Sequence, residues 1–515
     1  GRSRKESHVG GSGGGDGGGD MMERHDGWDV PCTPLDASFV FLGTASMAPS
    51  TTRNVSGNAI RIGSEWIIVD CGEGTQHQIN RSKVAPGSVQ RIYITHLHGD
   101  HCFGLPGLMC KIGTSNIEAE SSRIVHIVGP RGLRNMLRAT LLTSSTFTPY
   151  RFRVDELWPT PNTDAGVEGG GGGAAVGGSG GVAKVGGYEH FSNVFTLPIH
   201  PSEIEGINIT PNNDGHDAND GHDDGGHDDG YGHGGTWELP PHPNPVVSPV
   251  SDAWRVYAAP LSHTVDSVGY VFKERPHRGA MDAKAARPRL ITDENKEFQR
   301  SVGIKNPMSL LGQLQRGQSV EIMENAQRIT LHPSDFIGAS KAGRVIAVLG
   351  DTCDSRALAG LAYGADLMVH EATNAALDED EDEDEVVART ISHGHSTPTM
   401  AATFAACCGV RRLVLTHFSA RYKGDESDES LAVMARISSQ ASEVLGGDEV
   451  TCARDLMEVS IPAKREYINS GSRTTMPMGS EVVKEAIERV ERERSVRGVR
   501  GAGGVKRARE EDEGG

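Results

Sequence analysis

Apolar runs of five to eight residues recur along the chain, and several stop at a glycine or a histidine. They are FVFLG (39–43), EWIIVD (65–70), RIYIT (91–95), RIVHIV (123–128), WRVYAAPL (254–261), SVGYVF (267–272), RVIAVLG (344–350), DLMVH (366–370), RLVLT (412–416) and LMEVSIP (456–462). Their length and β-branched content predict strands. Between them, around 131–142, 397–408 and 427–445, apolar positions recur at spacings of three and four, which predicts helices. The alternation predicts an α/β fold, with two sheets face to face, helices on the outer faces, and the C-terminal loops of the strands free for chemistry.

Composition confines that fold to part of the 515 residues. Glycine tracts at 9–20 and 166–187 read as flexible linkers, and residues 215–235 (GHDANDGHDDGGHDDGYGHGG) as an expansion with no defined site. We therefore expect a disordered extension over 1–36 and one catalytic domain over 37–463, interrupted by an insertion at 164–245. A charged tail, with a helix-like EVVKEAIERVERER stretch, occupies 464–515. The eight cysteines show no CxxC pair and no secreted-type framework, and no apolar run approaches a membrane span. The expectation is an intracellular protein with reduced thiols and no membrane contact, in cytoplasm or nucleus, with an organelle left open. RSRK and VKRAR are weak nuclear-type signals.

The net charge of −18 argues at first against a polyanionic partner. Eight acids at 378–385 and seven aspartates at 212–230 supply 15 of those charges, and the remainder is nearly balanced. The acidic run is expected to form a loop that swings into solvent.

The chemistry lies in ITHLHGDHCFGLPGL, where His96, His98, Asp100 and His101 follow directly on a strand. Four donors so close together cannot all reach one ion, so two metals are implied. Imidazole and carboxylate donors suit Zn2+, with Mn2+ or iron as alternatives. Three further strands end at a potential ligand, namely His263, Asp351 and His417. The spacing divides them into His96, His98 and His263 on one ion and Asp100, His101 and His417 on the other, with Asp351 bridging. Two adjacent ions suit in-line attack on a phosphoryl group, and Asp100 is placed to accept the proton of the attacking water. Glu371 of HEAT and His395 of GHST form a second pair, a carboxylate orienting an imidazole that would protonate a departing alkoxide. Asp70 of DCGEG is a candidate to orient a ligand imidazole, or only part of a tight turn. Cys102 and Cys353 read as small buried thiols.

Together FLGTASMAPSTTRNVS, DCGEGTQHQI, THLHGDHCFGLPGL, LGDT, HEAT, GHSTPTMAATFA and RLVLTHFSARYK resemble the short-form tRNase Z family of ElaC type, within the metallo-β-lactamase superfamily. The resemblance covers about 37–160 and 250–463. It implies an αββα sandwich of two mixed sheets, a homodimer, and a zinc-dependent endoribonuclease that removes the 3′ trailer of precursor tRNA, leaving a 3′-hydroxyl. It further implies one zinc on His96, His98, His263 and Asp351 and a second on Asp100, His101, Asp351 and His417, with Asp100 as proton acceptor. The family's tRNA-gripping arm corresponds to 273–318, where ten basic residues face five acidic ones. The family's Gly-Pro-rich turn appears here as NPMSLL, and the segment is longer. A small-substrate hydrolase of the same fold would need neither this arm nor the Glu371–His395 pair. A non-catalytic RNA-binding scaffold should have lost a ligand, and none is missing.

Overall fold

The computed structural model describes residues 34–115, 123–158, 197–212, 235–244, 250–377, 382–446 and 450–463, with the backbone of the short strands Lys184–Val185 and Tyr188–Glu189. The expected extension before residue 34, the His/Asp-rich stretch 215–234 and the tail from 464 lie outside the described residues.

Two mixed sheets carry the fold. In the first, Ala37–Gly43, Gly57–Ile62 and Glu65–Cys71 pair antiparallel, and Glu65–Cys71, Val89–Tyr93, Ile124–Pro130 and Arg151–Leu157 continue in parallel. In the second, Trp254–Leu261, Ser267–Glu274 and Val345–Leu349 pair antiparallel, followed in parallel by Leu367–Glu371, Leu413–Thr416 and Val450–Cys452. Each sheet thus places its parallel crossovers over an outer face, where helices must cover it.

The layers follow from which side chains are buried together. Phe39, Phe41, Ile67 and Tyr93 of one sheet meet Val256, Tyr270, Phe272 and Val369 of the other in a single apolar core. On the far side of the first sheet, Ile68, Ile92 and Ile127 are covered by the helices Leu105–Gly113 and Leu133–Thr143. On the far side of the second, Ala347, Met368 and Leu415 are covered by Pro398–Cys407 and Asp428–Leu445. This is the expected αββα sandwich.

Three sequence boundaries change. The expected insertion at 164–245 is partly built into the sheets: Asn208–Ile209 pairs with Arg151–Leu157, and Trp237–Glu238 pairs with Trp254–Leu261. The arm does not stop at 318, because the hairpin Val320–Glu324 and Gln327–Leu331 packs with the helices Ala283–Leu290 and Ser309–Gln315 around a small core of its own. The acidic run is also not loop throughout. Glu383, Asp384 and Glu385 form the first turn of a helix, Glu383–Ser392, where carboxylates favour the positive end of the helix dipole. Residues 382–385 are exposed, as expected for that charge, and 378–381 lie outside the described residues.

Candidate metal centre and active site

His263, Asp351 and His417 stand just past a strand end, His96, His98, Asp100 and His101 lie on the turn and short helix Gly99–Cys102 that follow Val89–Tyr93, and the sandwich brings all seven to one edge. One group gathers His96, His98, His263 and Asp351; a second gathers Asp100, His101, Asp351 and His417; within each, the donor atoms lie within 4.8 Å of one another. Asp351 is common to both. Its Oδ1 is 3.4 Å from His101 Nε2, and its Oδ2 is 3.6 Å from His96 Nε2 and 3.4 Å from His417 Nε2.

The hydrogen-bond network assigns the imidazole tautomers. The Thr95 hydroxyl donates to Asp70 Oδ2 (2.9 Å) and therefore accepts from His96 Nδ1–H (3.0 Å). His101 Nδ1–H donates to the same Asp70 oxygen at 2.7 Å, and His263 Nδ1–H donates to the Gly394 carbonyl at 2.7 Å. The Thr373 hydroxyl donates to Glu371 Oε2 (2.8 Å) and accepts from His417 Nδ1–H (3.2 Å). With the Nδ1 protons so used, four bare Nε2 lone pairs converge. Buried His96 Nε2 has no hydrogen-bond partner at all. His101 Nε2 faces His417 Nε2 at 3.1 Å, and His98 Nδ1 faces His263 Nε2 at 3.2 Å. With neutral rings oriented this way, His101 and His417 turn lone pairs toward each other, an arrangement that a cation among them, or a proton in its absence, relieves, so the donor set fits metal ions. Burial is the main influence that lowers the pKa of His96, His98 and His263, keeping them in the neutral ligating form. For His101 burial acts the same way, but Asp351 and Asp70 overcome it and raise the pKa, the mark of a place that attracts positive charge.

Asp70 thus accepts from His101, one of the candidate donors, and from Thr95 beside His96. Asp70 and His417 both adopt left-handed backbone, φ 63° and 59°, conformations non-glycine residues rarely take. Gly394 of GHST is also left-handed, and a Cβ there would stand 2.6 Å from His263 Nδ1, so only glycine lets its carbonyl orient that ring. The sequence did not single out Thr95, Thr373 or the Gly394 carbonyl. Their one advance signal is adjacency to a motif residue. Cys102 is buried and turned to the His98 carbonyl (Sγ to O, 3.2 Å), away from the donor cluster.

Beside the cluster, His395 Nδ1–H donates to Glu371 Oε1 at 3.0 Å. Burial works against a charged His395, but Glu371 more than compensates and raises its pKa to about 9. Glu371, His395 and His417 also lie close enough to be read as a third donor group. That reading fails on chemistry. The Glu371 carboxylate already accepts from Thr352 N, Ser396 N and His395 at Oε1, and from Thr373 N and Oγ1 at Oε2. A carboxylate saturated by five donors orients His395 and does not bind an ion.

An αββα sandwich with a His/Asp donor cluster gathered at one edge of its sheets is the metallo-β-lactamase fold. A family model described as anti-Pycsar protein Apyc1 matches residues 37–146. The chain is 33% identical to human zinc phosphodiesterase ELAC protein 1, over 82% of this chain and 98% of that protein. It is 30% identical to ribonuclease Z of Bacillus mycoides (strain KBAB4), over 83% of this chain and 99% of that one. The crystal structure of human tRNase Z, short form (ELAC1), matches with 26% identity and a TM-score of 0.45, covering 82% of this chain and 99% of that chain. The chain belongs to the ribonuclease Z family, in which the ELAC zinc phosphodiesterases stand.

Proposed function

We propose that this chain is a zinc-dependent endoribonuclease that removes the 3′ trailer of precursor tRNA and leaves a 3′-hydroxyl. Family membership supports the substrate class. The observation that carries the chemistry is the convergence of bare imidazole nitrogens from both sheets around the buried Asp351 carboxylate.

In this reading His96, His98, His263 and Asp351 hold one zinc, and Asp100, His101, Asp351 and His417 hold a second. Ions held there would supply Lewis acidity toward a phosphoryl oxygen and toward the attacking water. Asp100 Oδ2 lies 3.3 Å from His417 Nε2, and its pKa is depressed because the neighbouring imidazoles outweigh burial. It is therefore ionised, and in this reading it is the anionic oxygen that takes the proton of that water. His395, held protonated by Glu371, donates a proton to the departing O3′. The arm offers exposed Lys284, Arg287, Arg300, Lys305 and Arg316 to the phosphates of the tRNA body. A homodimer is part of the proposal and is read from light scattering of the purified protein.

Incubation of the purified chain with a trailer-bearing precursor tRNA tests the reading. Release of the trailer with a 3′-hydroxyl on the tRNA, together with about two zinc per chain, is the expected result. No cleavage by zinc-loaded protein would overturn it.

A further inference from the structure

A cavity of about 580 Å3 opens onto the donor cluster, and its lining divides by chemistry. His98, Asp100, Asp351 and His395 supply the reacting groups, yet Met47 and Phe103 line the same space. Both are large apolar side chains left open to water, Met47 at 84% and Phe103 at 71% exposure. Exposed apolar area beside a phosphodiester site is costly unless a substrate covers it.

Neither side chain is there by slack packing. Phe103 closes the metal-donor turn, and its ring lies against Gly99, where a Cβ would stand 2.4 Å from Cε2 and 2.6 Å from Cδ2. Only glycine allows the ring to rest on the backbone between His98 and Asp100. Met47 has φ 65°, a left-handed conformation, and its backbone N–H donates to Asp100 Oδ2 at 2.7 Å. A strained residue is thereby tied to the same carboxylate that is proposed to take the water's proton.

We propose that Phe103, with Met47 on the same rim, forms a stacking subsite for one unstacked nucleobase flanking the scissile phosphate. The inference rests on the RNA-cleaving reading above. A nucleobase is the occupant that fits. It is the flat apolar part of an RNA chain, it lies within one sugar of the phosphate, and single-stranded trailers leave it free to turn onto a ring. Stacking would set which phosphodiester enters the cluster, so Phe103 is a positioning residue for the cut.

The test crosses the enzyme with the substrate. Wild type and Phe103→Ala are assayed on precursor tRNA that is intact, abasic at the last tRNA nucleotide, or abasic at the first trailer nucleotide. We expect Phe103→Ala to lose about tenfold in kcat/KM on intact substrate, mostly through KM, with zinc content and melting temperature unchanged. Wild type should lose a similar factor at one of the two abasic positions, Phe103→Ala should lose little more at that position, and Phe103→Trp should recover the intact-substrate rate. Losses that multiply at both positions would overturn the proposal. So would a Phe103→Ala loss that accompanies a shift in oligomeric state, which would assign the ring to a contact between chains. A precursor carrying 2-aminopurine at the sensitive position separates this inference from the broader reading. Quenching by wild type and not by Phe103→Ala supports stacking whether or not cleavage follows, and equal quenching by both rules it out.

Discussion

At the residue scale, the division of labour inside the cluster gives separable expectations. Asp100→Ala should remain folded, because Asp100 sits at the cavity rim and its partners are His417 Nε2 and the Met47 amide. Its cleavage rate should fall by at least about 100-fold, the usual cost of losing a positioned proton acceptor, and more if zinc is also lost. A rate within a few-fold of wild type would remove Asp100 from the mechanism. Thr373→Val makes a different demand. The Thr373 hydroxyl joins Glu371 to His417, so its removal should weaken zinc retention by about tenfold while leaving every proposed ligand in place. Competition with a chromogenic chelator measures that change, and unaltered affinity would show the hydroxyl to be dispensable. The contrast explains what was legible in sequence. The candidate donors announce themselves because scarce residue types fall together after strand ends. Thr95 and Thr373 are common residues, and their roles depend on which ring the fold lays against them.

At the element scale, strands were legible where both faces are apolar and obscure where one face carries charge. RFRVDEL, the strand Arg151–Leu157, was not singled out because Arg153 and Asp155 interrupt its apolar pattern. In the structure Asp155 is buried, accepting from His126 Nε2 (2.7 Å), Arg153 Nε (2.8 Å) and the Ile207 amide (2.8 Å), so the charge is internal and paired. The base of the arm holds a similar pair. Arg344, 1% exposed, donates to both oxygens of Glu274 and to the Ile461 carbonyl, joining the strand that enters the arm to the end of the catalytic domain. Burial would raise the Glu274 pKa, but His277 and Arg344 hold it below its ordinary value. A depressed folded-state pKa stabilises the fold above the unfolded value of about 4.3 and loses that contribution as pH falls through the folded value. Glu274→Gln should therefore cost about 3 kcal/mol at pH 7, by leaving the Arg344 charge unpaired. The difference from wild type should shrink as pH is lowered below about 4. Denaturant unfolding at both pH values measures it, and a pH-independent difference would assign the loss to packing.

At the scale of the whole molecule, the conflict is between an acidic chain and a polyanionic substrate. The net charge of −18 includes seven aspartates between residues 213 and 234, and the flanks of that stretch already meet: Asn212 bridges Thr236, with the Asn212 amide 2.8 Å from the Thr236 carbonyl. Because Asn212 and Thr236 already pair, replacing 213–234 by a short glycine turn asks nothing new of the sheets. Melting temperature should change by no more than a few degrees, and zinc content should not change. The charge falls to −11, and the stretch removed contributes no proposed ligand. If those seven aspartates repel RNA only at long range, the excised protein should show a lower KM for precursor tRNA at low ionic strength. The advantage should vanish near 0.15 M salt, where screening acts within about 8 Å. An advantage that persists at high salt would place the acidic stretch in direct competition with substrate at the cavity mouth. A loss of activity would make it part of the binding surface.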